Sequence, residues 1–374
     1  MKVVIVGPAY PYRGGIAAFT DRLTKEFVDE GADIEVFTFE LQYPSLLFPG
    51  KTQYSESDAP DAFKIARKVN SINPLNWRKV GRELMEKAPD LVIFAYWMSF
   101  FAPGYCKIAR IVKRNGHTKC IGLIHNMIPH EKSALDKLFT PGFVEAMDGF
   151  VTLSQSVLAD VASLDKAGKP KCCVPNPLYD HYGEIQDRQK SINELGLDRD
   201  FRYLLFFGLV RAYKGLDLLI DAFADQRLRK YPLKLVIAGE FYDDPKPYLE
   251  QIEKRGLKDF VVVNNQFIKD NEVKYYFNAA DMVVQPYKSA TQSGVTQIAY
   301  HFEKPVLVTG VGGLKEIIPD GKVGYVVEPD PKAIADALVD FYDNDRYEFF
   351  VEGVREEKQK YRWSKLTDAV KNLL

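Results

Sequence analysis

Short unbroken apolar runs recur along the chain, and most are followed by segments whose apolar residues fall three and four apart. Residues 3–7, 91–95, 120–124, 203–207, 234–238 and 306–309 read as strands buried on both faces, the pattern of parallel sheets. Further strands are expected at 34–39, 149–153, 171–174, 260–263 and 282–285. Amphipathic stretches such as 16–30, 104–113 and Leu216–Phe223 predict helices between them. Strand alternating with helix predicts an α/β protein built of doubly wound parallel sheets, and 374 residues are too many for one ordinary core. Pro175-Asn176-Pro177 reads as a linker, because proline blocks both helix and central strand. The chain is therefore expected to divide into 1–176 and 177–360, with a terminal segment 361–374. A last helix is expected over 366–374, with Ser364 as its N-cap.

Charge adds little globally: 50 Lys and Arg against 51 Asp and Glu leave no field that points to nucleic acid. A strand begins at once, with no room for a signal peptide, and no apolar run reaches transmembrane length. Cys106, Cys120, Cys172 and Cys173 have neither metal-ligand spacing nor disulfide density, so a cytoplasmic protein is expected. Locally the balance shifts. From Lys64 to Lys119 there are about twelve Lys or Arg and about three Asp or Glu. Lys107, Arg110, Lys113 and Arg114 interleave with Ile108, Ile111 and Val112, which reads either as a solvated helix face or as a basic amphipathic face for anionic lipid or an anionic acceptor. Residues 42–60, rich in Pro, Ser, Gly and Tyr, read as a long loop of the kind that carries function.

The clearest candidate chemistry follows the strand at 203–207. Gly208 stops it, Arg211 and Lys214 come next, and a helix starts at Leu216. Two cations beside a helix N-terminus, at the carboxyl edge of a parallel sheet, read either as a site for a dianionic group such as a diphosphate or as two solvated basic residues in a surface loop. Gly14 and Gly15 open the first helix and would let its backbone N–H groups approach a phosphate or sugar, although GxGxxG is absent. His125-Asn126-Met127-Ile128-Pro129-His130-Glu131 is a polar cluster at another strand end. It lacks HExxH spacing, so no metal is expected there.

Five elements in register now point one way: Phe207-Gly208…Arg211…Lys214-Gly215; 235–240; 276–287; Ser293-Gly294-Val295…Lys304-Pro305-Val306; and Gly312-Gly313-Leu314-Lys315-Glu316…Gly324. In this order the chain resembles the retaining, nucleotide-sugar-dependent GT-B glycosyltransferases of the GT4 group, strongly over 202–340 and more loosely in the first half. The resemblance implies two Rossmann-like domains facing across a cleft and a terminal helix that returns to the first. It implies that Arg211 and Lys214 hold the donor diphosphate, and that Ser293, Gly294 and Val295 present helix N–H groups. Gly14, Gly15 and Gly208 would lie close to the same ligand, and His125 near the anomeric carbon. Gln266, Phe267 and Ile268 would border the base, with Glu240 and Glu316 in acidic positions nearby. No cofactor or metal is implied. The donor would be UDP- or GDP-linked, the acceptor lipid-linked or a saccharide, and the pathway cell-surface polysaccharide or glycolipid synthesis. A peripheral contact with anionic membrane would run through 64–119. One departure stands out: the family's glutamate pair, eight positions apart, is replaced here near Ala290 and Ile298, so Thr296 or Gln297 would have to meet the ribose. Two alternatives stay open: a nucleotide-sugar epimerase using His125, Glu131 and Glu240, and a non-catalytic nucleotide-sugar-binding protein.

Overall fold

The computed structural model describes residues 1–44, 53–54, 59–127, 134–290 and 293–374, with backbone alone for 134–137. The expectations placed on Ile128, Pro129, His130 and Glu131, and on much of the 42–60 loop, lie outside the described residues.

The chain forms two compact units. Unit 1 comprises Met1–Asn176 and Arg362–Leu374, and unit 2 comprises Pro177–Tyr361. In unit 1 seven strands run parallel: β1 (Lys2–Val6), β2 (Asp33–Leu41), β3 (Lys64–Asn70), β4 (Leu91–Tyr96), β5 (Lys119–Ile124), β6 (Gly149–Thr152) and β7 (Lys171–Cys173). Their spatial order is β3-β2-β1-β4-β5-β6-β7, so the winding reverses between β1 and β4. Among the described residues, the connecting helices are α1 (Gly15–Asp29), α2 (Pro74–Lys87), α3 (Ala102–Val112), α4 (Ala134–Ala146) and α5 (Gln155–Leu164). Alternation along β1 sorts the core. Val4 and Val6 face a layer with Leu84, Tyr105 and Ile108, whereas Val3 and Ile5 face Phe19, Leu23 and Phe27 of α1.

Unit 2 repeats the design after α6 (Arg188–Glu194). Its strands are β8 (Arg202–Phe207), β9 (Leu233–Ala238), β10 (Val261–Asn264), β11 (Met282–Gln285), β12 (Val306–Thr309) and β13 (Gly324–Val327), ordered β10-β9-β8-β11-β12-β13 and all parallel. The connecting helices are α7 (Leu216–Phe223), α8 (Lys246–Lys254), α9 (Asp270–Ala279), α10 (Gly294–His301), α11 (Leu314–Ile317), α12 (Pro331–Asp343) and α13 (Tyr347–Glu357). Here the reversal falls between β8 and β11.

Three expectations need correction. The last helix, α14 (Trp363–Lys371), starts three residues before Leu366, and Ser364 lies inside it rather than capping it. Burial of Trp363 explains the earlier start. Its ring meets Phe19 at 4.8 Å, and with Leu366 and Val370 it completes the core layer against α1. On α3 the interleaved Ile108, Ile111 and Val112 point into the protein's own core, so no amphipathic face is left for lipid. Arg110 and Lys113 meanwhile pair with Glu145 and Asp148 at 2.7 and 2.6 Å. The segment 64–70, counted above only for its charge, is the edge strand β3, where charged residues are common. Two of its lysines answer acids elsewhere: Lys64 lies 3.8 Å from Glu35, and Lys68 lies 3.1 Å from Glu83.

Candidate active site

In unit 2 the site is built on the turn between β8 and α7. Gly208 leaves β8 with φ 93, a conformation that glycine supplies without strain. A Cβ at Gly208 would stand 3.1 Å from the Lys214 ammonium, so the bare glycine also makes room for that side chain. Residues Ala212–Lys214 form a single 3₁₀ turn, closed by bonds from Lys214 N to Arg211 O (2.9 Å) and from Gly215 N to Ala212 O (3.2 Å). Gly215, at φ 68, packs so closely on the loop after β11 that a Cβ would fall 1.9 Å from the Pro286 carbonyl oxygen. The turn has one shape because both of its ends are pinned.

Lys214 is 8% exposed. Burial first, and the neighbouring Arg211 second, pull its pKa down to about 8. The ammonium remains mostly charged at neutral pH, and among the described residues it has no acidic ion-pair partner; the Tyr287 ring lies 5.6 Å away. Arg211 stacks its guanidinium over Tyr242 at 3.9 Å, and its Nε is buried without a hydrogen-bond partner. Two cations held close, one of them desolvated and neither neutralised by a carboxylate, form a site for a multiply charged anion.

A second part of the site is the start of α10. Ser293 occupies the N-cap, yet its hydroxyl donates to Gln285 Oε1 (2.6 Å) instead of capping the helix. The N–H groups of the first turn are thus left without a side-chain cap, and the positive end of the helix stays available. Gln285 also donates to Thr296 Oγ1 at 3.0 Å. Thr296 is wholly buried by this contact, which corrects the expectation that it meets a ribose. Gln297 is 1% exposed with neither amide atom bonded. Ile298 is buried in the core, and Ala290 packs against that core.

The remaining unit 2 candidates sort by exposure. Glu240 and Glu316 are exposed, and Glu240 contributes its backbone oxygen to Val210 N at 2.8 Å. Gln266 is exposed and Phe267 is 71% exposed, whereas the Ile268 side chain is core and is corrected as a base contact. Lys304 lies at the amino end of β12, where it bonds Asn278 O and the Tyr347 hydroxyl, so its part of the motif is structural. Sequence reasoning gave no role to Tyr242, Tyr287 or Gln285, which position the turn and the helix start. Of these, only the 276–287 motif around Gln285 and Tyr287 offered a signal.

In unit 1, Gly14 precedes α1 at φ 117, and a Cβ at Gly14 or Gly15 would meet nothing within 4 Å. That open space adjoins a cavity of about 270 Å³, lined in part by Tyr12, Arg13, Gln42, Tyr43, Gln53 and Trp97. His125 follows β5 directly; its N–H bonds Tyr96 O at 2.9 Å and its ring stands edge-on to Phe19 at 4.7 Å. Its Nε2 is shielded without a partner, and burial lowers its pKa to about 4. The imidazole is therefore neutral at pH 7. Among the described residues no cluster of three or more His, Cys, Asp or Glu is placed to hold a metal. No helix there is long and apolar enough to cross a membrane.

Two Rossmann-like units, each wound about a reversal in strand order and each with glycine-led helix starts at the carboxyl edge, define a GT-B glycosyltransferase. Residues 201–344 match the family described as Glycosyl transferases group 1, and residues 13–178 match Glycosyltransferase Family 4. A D-inositol 3-phosphate glycosyltransferase of Frankia alni is 32% identical over 87% of this chain and 85% of its own length. An uncharacterized glycosyltransferase of Methanocaldococcus jannaschii is 25% identical over 100% of this chain and 97% of its own. The crystal structure of Anabaena HepE in complex with UDP shares the fold at a TM-score of 0.70, with 16% identity over 100% of this chain and 99% of that one. The chain belongs to the GT4 family of GT-B glycosyltransferases and is a sugar-transferring enzyme.

Proposed function

We propose that the chain transfers a sugar from a UDP- or GDP-linked donor to an acceptor hydroxyl, with retention of configuration and without a metal. The observation that carries this is the pinned turn after β8, with a buried Lys214 beside Arg211 and, among the described residues, no carboxylate ion-paired to either. Leaving-group departure places extra negative charge on the diphosphate. Fixed cations in a dry setting favour that charge by about 10²–10³ in rate per well-placed donor. The uncapped start of α10 adds N–H groups of the same polarity. Anabaena HepE, crystallised with UDP and with UDP-glucose, supports a uridine donor. A neutral His125 suits hydrogen bonding to a sugar hydroxyl rather than charge neutralisation. Transfer is favoured over the epimerase alternative because both matched families are glycosyltransferases and Glu240 is exposed.

The proposed cytoplasmic setting, in polysaccharide or glycolipid synthesis, includes a peripheral contact with anionic lipid. We place that contact on the outer face of α2 rather than on α3. Arg78, Lys79 and Arg82 are exposed there, beside Leu75 (71% exposed).

The test is a thermal-shift screen of UDP-, GDP- and ADP-sugars. A donor at 100 times its Kd stabilises the protein by about 2.7 kcal/mol. Arg211→Ala and Lys214→Ala are each expected to shrink the shift for every donor alike. Unchanged shifts in both variants would refute the site, and a bound donor that is neither transferred nor slowly hydrolysed would mark a non-catalytic binder.

A further inference from the structure

Past the ends of β8 and β9 the chain stays paired with itself. Gly208 N bonds Ala238 O at 2.9 Å, Val210 N bonds Glu240 O at 2.8 Å, and Tyr242 N bonds Val210 O at 3.0 Å, with Val210 and Phe241 forming a parallel bridge. Gly239 crosses so near that a Cβ there would fall 2.3 Å from Gly208 O. On the other side Phe241 N bonds Asn265 Oδ1 at 3.0 Å, and the Phe241 ring meets Tyr248 of α8 at 5.7 Å. The backbone of 239–242 is thus fixed from both sides, and it carries Tyr242 beside the turn that holds Arg211 and Lys214.

Tyr242 is 63% exposed, and the face of its ring is taken by Arg211. The guanidinium carbon lies 3.9 Å from the ring centroid, nearer than any other cation–ring contact among the described residues; the next, Lys234 over Phe201, is 4.2 Å. Glu240, Asp243 and Asp244 flank the ring in sequence, yet among the described residues none of them is ion-paired to Arg211. The difference matters chemically. A carboxylate would occupy the N–H fork and cancel the charge. An aromatic face lies against the guanidinium plane, uses none of its N–H donors and leaves the charge whole. Arg211 Nε is shielded without a partner, whereas the terminal nitrogens, which make the two-pronged contacts with phosphate, stay accessible.

We infer that Tyr242 is a positioning residue for sugar transfer: its ring holds the Arg211 guanidinium by the face, in one orientation, with the terminal N–H groups ready for the donor diphosphate. The inference rests on the donor reading above and deepens it. A long side chain that must be ordered on binding lowers affinity by about two- to tenfold, and here the ring has ordered it beforehand. Stacking needs the ring alone, so the Tyr242 hydroxyl has no part in it.

Calorimetric titration of the intact chain tests it, with UDP, GDP and ADP as probes and the tightest of the three carried into the variants. Arg211→Ala is expected to weaken binding by about ten- to a hundredfold, and Tyr242→Leu by about fivefold. Tyr242→Phe keeps the ring and is expected to bind as the parent does. In the Arg211→Ala background Tyr242→Leu is expected to change nothing further, because the side chain at 242 then has no guanidinium to hold. Melting curves check folding, which an exposed ring is expected to leave unchanged. The inference is overturned if Tyr242→Leu binds as the parent does, if Tyr242→Phe is as weak as Tyr242→Leu, or if the two single losses add in the double variant. Additive losses would mark a ring that touches the ligand itself or only supports the fold. Failure of the donor reading would appear separately, as diphosphate binding that ignores Arg211→Ala or as no binding of any of the three probes.

Discussion

Lys214 illustrates how one residue carries both a cost and a use. Its ordinary pKa of 10.5 falls to about 8 because the folded chain surrounds the ammonium with little water and a second cation. The unfolded state therefore binds the proton more tightly, and by linkage stability rises as pH climbs from about 8 towards 10.5. Below pH 8 the whole penalty is present, on the order of 3 kcal/mol before relaxation. Lys214→Met is expected to raise the melting temperature at pH 7 and to weaken donor binding, as read by calorimetry. In the parent, donor affinity should decline between pH 7 and 9 as the ammonium deprotonates, whereas Lys214→Arg should flatten that decline. A variant that loses stability together with binding would show that the lysine is mainly structural. At this scale the sequence was a good guide. Gly208, Arg211, Lys214 and Gly215 lie within eight consecutive positions, and so short a turn is shaped mostly by its own glycines. Tyr242 was not legible, because it reaches the turn from another strand end.

Among the elements, legibility followed burial. Strands β1, β4, β5, β8 and β9 are hidden on both faces and read as apolar runs; α7 was delimited to the residue. The edge strand β3, Lys-Ile-Ala-Arg-Lys-Val-Asn, has too much charge to look like a strand until its partner β2 is known. The basic face on α3 was misjudged for a related reason: a helix pattern says that one face is apolar, not that the face is free. Three side chains of α14, Trp363, Leu366 and Val370, fill the layer over α1, while Thr367 and Lys371 bond Glu30 at 2.5 and 2.6 Å. Trp363→Ala is expected to destabilise unit 1 by about 3–5 kcal/mol. Two-phase denaturant unfolding, with the second unit's transition unmoved, would be the signature. A single transition shifted as a whole would contradict it.

For the whole molecule, the fold class, the parallel topology and the linker at Pro175-Asn176-Pro177 followed from alternation and proline chemistry. The cavity in unit 1 did not, because its lining comes from positions 8 to 97 and is assembled only by the order of strands. The even charge balance conceals the exposed cations on α2. Changing Arg78, Lys79 and Arg82 together to Glu should release the protein from anionic liposomes at low salt in a sedimentation assay and leave neutral liposomes indifferent. Equal retention of parent and variant would remove the membrane from the proposed function.

The position of α14 also bears on biogenesis. A ribosome delivers the sheet of unit 1 first, then all of unit 2, and only afterwards the thirteen residues that complete the first core. The earliest domain to be made is thus the last to be finished, and through the intervening synthesis Phe19, Leu23 and Phe27 wait without their cover. Nascent chains halted before residue 362 should accordingly be protease-sensitive in the first unit while the second is already resistant, reversing the usual amino-to-carboxyl order of maturation.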